Sequence, residues 1–119
     1  MSFRNTHENY TSINNACLQD ERLGPATIGI LAVVLSNKPD WVVYPEEIAK
    51  RMGVSRQFVN KHFKILEEAG YLFVIKKGGG RAKGVTPFRF FNDKPFTDKF
   101  KEYIQQKLDE ELSAGNNAQ

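Results

Sequence analysis

Arg56, Gln57, Asn60, Lys61 and Lys64 follow Ser55 at a spacing that gathers them on one side of a helix. At about 100° per residue, Phe58, Val59, His62, Phe63, Ile65, Leu66 and Ala69 fill an opposite arc of roughly 160°. The polar side carries three cations and two amides, and no acid interrupts it before Glu67 and Glu68. Those groups have a specific use. A guanidinium matches guanine O6 and N7, and a carboxamide matches adenine N6 and N7. Ammonium groups meet phosphate oxygens whatever the base sequence. The plainer reading is the solvated face of a surface helix, which leaves unexplained the missing acids and the amides between the cations.

A polar face of this kind must be held out from the body by what precedes it. Pro45 suits a first helical position because it has no N–H to leave unpaired, and Glu46 and Glu47 sit well at the positive end of the helix dipole. Ile48, Ala49 and Met52 fall three or four apart and share a face. Gly53 supplies a tight turn, Ser55 a helix N-cap, and Gly70 a stop. Residues 45–72 therefore read as a short helix, a glycine turn and a longer helix, at helix-turn-helix spacing.

This run resembles the winged helix-turn-helix superfamily of bacterial regulators, and its nearest likeness is to helix-turn-helix modules of phage and plasmid replication and regulatory proteins. The resemblance spans roughly residues 10–91. It implies a mainly α fold with a small antiparallel β-wing, and binding to double-stranded DNA. One departure is Phe58, where such motifs carry a small Ser or Thr. A bulky ring there alters how the helix enters a groove, or packs against the wing.

The remaining chain fits that frame. Residues 1–9 are polar and read as a flexible terminus. Residues 9–13 suit a short strand or extended arm, and residues 14–20 a turn of helix with Ala16, Cys17 and Leu18. Residues 25–36 read as a helix with Ile28, Leu31, Ala32 and Leu35 on one face. Gly29, Ile30, Val33 and Val34 make it apolar nearly all round. Residues 41–44 suggest a short strand with Trp41 as a core or sheet-edge anchor. Residues 71–76 and 85–91 suggest two strands, with Pro87 on the edge side or at a bulge. Between them lies a loop of glycines with Lys77, Arg81 and Lys83, the wing tip, able to reach phosphates or a minor groove. A nucleotide cradle fails on spacing: Val85 and Thr86 stand where Lys-Ser/Thr is needed after Gly84. Thr97 caps a last helix ending near Ser113, whose Phe100, Ile104, Leu108 and Leu112 recur every four residues beside Tyr103. That stripe must be buried, against the residue 25–36 helix or in a homodimer.

Charge supports the same reading. Residues 50–89 carry ten Lys or Arg and two acids, a window of +8, while the rest of the 119 residues is −5. A concentrated positive window is the footprint of a nucleic-acid binder. No apolar run approaches the ~18 residues of a membrane span, and no signal-peptide core is present, so a cytoplasmic protein is expected. A lone Cys17 excludes an internal disulfide and reads as a packed apolar residue. His7 and His62 are too few for a metal centre. No paired carboxylates, activated nucleophile or metal cluster stands out, so neither an enzyme nor a cofactor or small-molecule ligand is expected.

The expected organisation is a winged helix-turn-helix over residues 10–94, a packing or dimerising helix over 95–113 and a disordered tail over 114–119. Ser55, Arg56, Gln57 and Asn60 are the expected base contacts. Lys61, Lys64, Lys77, Arg81 and Lys83 are the expected phosphate contacts, and Phe100, Ile104, Leu108 and Leu112 the dimer contacts. The expected function is sequence-specific binding of double-stranded DNA by a homodimeric transcriptional regulator. The alternatives are origin binding in phage or plasmid replication, and a winged helix that binds only protein.

Overall fold

The computed structural model describes residues 10–37, 43–78 and 84–117. Five helices and one hairpin follow in order: α1 (Asn15–Leu18), α2 (Pro25–Leu35), α3 (Pro45–Met52), α4 (Arg56–Ala69), β1 (Leu72–Gly78), β2 (Val85–Phe91) and α5 (Asp98–Asn117). This is a winged helix-turn-helix with a carboxy-terminal helix, as the sequence implies. Trp41, Arg81 and Lys83 and the terminus at residues 1–9 lie outside the described residues. Val43 and Tyr44 are not in a strand, and the described sheet has two strands.

The main core lies among α2, α3 and α4. Ile30, Leu31 and Val34 of α2 meet Ile48 and Ala49 of α3 and Val59, Phe63 and Leu66 of α4. The buried face of α2 is thus Thr27, Ile30, Leu31 and Val34, rotated from the expected Ile28, Leu31, Ala32 and Leu35. A helix apolar on nearly every side has no moment to orient it, so its neighbours choose the face. Cys17 is fully buried in the same core, where burial and the nearby charge of Asp93 push its thiol pKa up.

The two helix ends depend on glycine for a conformational reason. Gly53 (φ 68°) and Gly70 (φ 94°) close α3 and α4 in the left-handed region, which a side chain disfavours. Gly70 then folds the chain back, with Tyr71 N–H donating to the Leu66 carbonyl at 2.9 Å.

The hairpin pairs antiparallel from Leu72 opposite Phe91 to Gly78 opposite Val85. Strand periodicity divides its residues between two helices. Leu72, Val74 and Phe91 pack toward the main core, and Phe63 of α4 meets Phe91 edge to face at 5.2 Å. Phe73, Ile75, Phe88 and Phe90 face the other way and form a second core with Ile104 and Leu108 of α5. Ile104 and Leu108 of the α5 stripe are therefore covered within the chain, by the sheet rather than by α2. Thr97 caps α5 as expected, its Oγ1 accepting from Phe100 N–H at 3.1 Å, but the helix continues to Asn117 instead of ending near Ser113. A cleft of about 860 Å³ separates α5 from α2 and α3, walled mainly by Leu35, Ile48, Phe90, Phe96 and Phe100. No described helix is long and apolar enough to cross a membrane.

Candidate nucleic-acid interface

Helix α4 is clamped on its apolar side and open on its polar side. Ser55 caps it, its hydroxyl accepting from Phe58 N–H at 3.1 Å. Val59, His62, Phe63, Leu66 and Ala69 are buried. Arg56, Gln57, Asn60, Lys61 and Lys64 are all exposed. Phe58, expected in the apolar arc, is instead 36% exposed and lies on His62 one turn further on, with ring centroids 4.5 Å apart. The ring that meets the wing is Phe63.

Two polar braces hold α4 in place. Thr27 Oγ1 of α2 and His62 Nδ1 are joined by a buried hydrogen bond of 2.7 Å. Burial, and then the neighbouring Lys61 charge, keeps the His62 imidazole below its ordinary pKa. At the other end, Asp20 accepts from Arg22 Nη2 and from the Tyr71 hydroxyl, both at 2.7 Å. Arg22 also donates to the Ala69 carbonyl at 3.2 Å, satisfying the last turn of α4. Hydrogen bonds from Arg22 and Tyr71 hold the Asp20 carboxyl well below the usual carboxylate range. Burial and the Asp20 hydrogen bond push the Tyr71 hydroxyl up to about 12.

These shifts place stability losses in separate pH windows. Unfolded His62 takes up its proton near pH 6.5, and folded His62 only at lower pH. Between those values the unfolded chain binds more protons, so stability should fall as pH drops below about 6.5. The Asp20 contribution is lost at lower pH, as pH falls below about 3.8. Denaturant titrations at stepped pH should show the upper loss in wild type and not in His62→Asn. Thr27→Val should cost about 1–3 kcal/mol at neutral pH by stranding a buried imidazole nitrogen.

Beside α4 the sheet forms one wall of a groove of about 510 Å³. Asn60, Lys64 and Glu67 line it from α4, and Lys76 and Arg89 from the strands. Arg89 is half-buried; its Nη1 donates to the Val43 carbonyl at 2.6 Å, and its guanidinium lies 5.8 Å from the Phe63 ring centre. Burial lowers its pKa, and the charges of Glu46 and Glu67 act against that shift. Arg89 thereby ties the segment leading into α3 to the sheet behind α4.

The expected phosphate contacts divide. Lys61 and Lys64 point outward on α4. Lys77 turns to the opposite face of the sheet, where its Nζ lies 2.7 Å from Asp109 Oδ1 of α5. The adjacent Lys76 takes the α4 side instead. Period two, counted from buried Leu72, could have made this distinction, because Leu72, Val74 and Lys76 share a face. Arg89 follows by the same count from Phe91. Of the expected dimer contacts, Ile104 and Leu108 are buried on the chain's own sheet, Leu112 is half-buried against it, and Phe100 is 41% exposed. Among the described residues no group of three or more His, Cys, Asp or Glu could hold a metal ion.

Comparison with known proteins agrees with this geometry. The family model described as MarR family matches residues 23–82, half of the chain, from the end of the α1–α2 connection into the wing. No curated protein and no solved structure matches. With α2, the α3–Gly53–α4 unit and β1 all inside the matched span, the chain belongs to the MarR family of winged helix-turn-helix, DNA-binding transcription regulators.

Proposed function

We propose that this protein binds double-stranded DNA sequence-specifically, with α4 in a major groove, and acts in transcriptional control. One observation carries the reading: Arg56, Gln57, Asn60, Lys61 and Lys64 are all exposed on one side of a helix whose other side is core. Arg56, Gln57 and Asn60, with Ser55 at the helix start, contact base edges. Lys61 and Lys64 hold phosphates and set the register, joined by Arg81 and Lys83 of the segment between the two strands. Lys77 is left out of that set, because Asp109 already engages it. Transcriptional control is preferred to replication initiation on the strength of the family match.

The same reading has two copies meeting a two-fold site, as helix-turn-helix dimers commonly do. With Ile104 and Leu108 occupied inside the chain, Phe100 and Tyr103 are the exposed aromatic members of α5 for that contact. Selection of bound sequences from random duplex DNA tests both parts. The expected result is a palindromic consensus. Recovery of unenriched sequence would overturn specific recognition, and a single half-site would overturn the dimer.

A further inference from the structure

Arg56 opens α4 at the end where the helix dipole opposes a cation. It is not alone there. Its Nε lies 3.2 Å from Oε1 of Glu46, in the first turn of α3. Both side chains are more than half exposed, at 64% and 52%. Arg89 adds a second positive charge close enough to Glu46 and Arg56 for both to influence its titration. Glu46 thus pairs with Arg56 across the turn, and its charge also reaches Arg89.

We propose that Glu46 is a specificity-determining positioning residue, which holds the Arg56 guanidinium in the orientation that reads a guanine. The proposal rests on the DNA reading of α4 above. A guanidinium has five N–H donors in a planar fork. With Nε the guanidinium nitrogen paired with Glu46, at 3.2 Å, the two terminal nitrogens remain, each offering a donor on the outer edge of the plane. That edge matches guanine O6 and N7 taken together. A free arginine reaches phosphate, adenine N7 or water as readily, so fixing its plane converts general attraction into choice. The same carboxylate repels the phosphate backbone. Glu46 therefore lowers total affinity while raising discrimination, a trade that a merely structural ion pair does not make.

Selections and binding titrations on wild type, Glu46→Gln, Glu46→Asp and Glu47→Gln separate these roles, with Arg56→Ala identifying the base concerned. Glu46→Gln should lower the guanine preference at that base by about tenfold, within the range of one bidentate contact. It should also tighten binding to random duplex severalfold. Glu46→Asp keeps the charge but withdraws it by one methylene, so it should lose preference without gaining random-sequence affinity. Glu47→Gln removes a neighbouring carboxylate on α3 that lines the α5 cleft, so its guanine preference should match wild type. Unchanged preference in both Glu46 variants would overturn the proposal while leaving specific binding intact, as would a preference sharpened by Glu46→Gln. A wild type with no base preference would remove the DNA reading itself, and Glu46's role with it.

Discussion

Raising the salt from about 50 to about 200 mM should weaken DNA binding roughly a hundredfold. The figure follows from about four neutralised phosphates, at a slope near −0.9 per phosphate in log K against log salt. In the proposed reading Lys61, Lys64, Arg81 and Lys83 supply those four contacts. Lys77 is excluded because Asp109 holds it on the far side of the sheet. Substitutions sharpen the test. Lys64→Ala should reduce the slope by about one and weaken all sequences alike. Lys77→Ala should leave the slope unchanged, whereas Asp109→Ala frees the lysine and should steepen it if Lys77 can then reach the duplex. A slope near zero on wild type would remove the electrostatic basis of the DNA reading.

Leu66→Ala should cost about 2–5 kcal/mol of folding stability, a large part of the 5–15 kcal/mol typical of a whole domain. Leu66 is fully buried on the inner face of α4, in the core shared with α2 and α3. Truncation leaves a cavity that helices fixed by the Thr27–His62 and Arg22–Ala69 contacts cannot readily close. Urea denaturation measures the loss. The exposed neighbour provides the contrast: Lys64→Ala should change stability by no more than about 0.5 kcal/mol while weakening DNA binding. A small effect for Leu66→Ala would mean that α4 is less firmly seated than its burial indicates.

Much of this fold is legible in local chemistry. Pro45, Gly53, Ser55 and Gly70 mark the boundaries of α3 and α4 to within a residue, because each has a backbone requirement that does not depend on the rest of the chain. Thr97 marks the start of α5 for the same reason. The polar face of α4 is equally clear, since a strongly amphipathic helix carries its orientation in its own spacing. The face of α2 is different. With apolar residues on nearly every side, several rotations bury similar area, and the Thr27–His62 hydrogen bond is available only in the one observed.

What the sequence determined by itself is the helix-turn-helix, the two wing strands and the exposed cations and amides of α4, all of which follow from interactions within a few residues. Tertiary structure alone decided which helix each face of the hairpin would cover. That choice buried Ile104 and Leu108 inside the chain and paired Lys77 with Asp109, while the packing of α3 against α4 set Glu46 beside Arg56. These contacts join residues distant along the chain, and their partners become definite only when the packed cores bring the elements together.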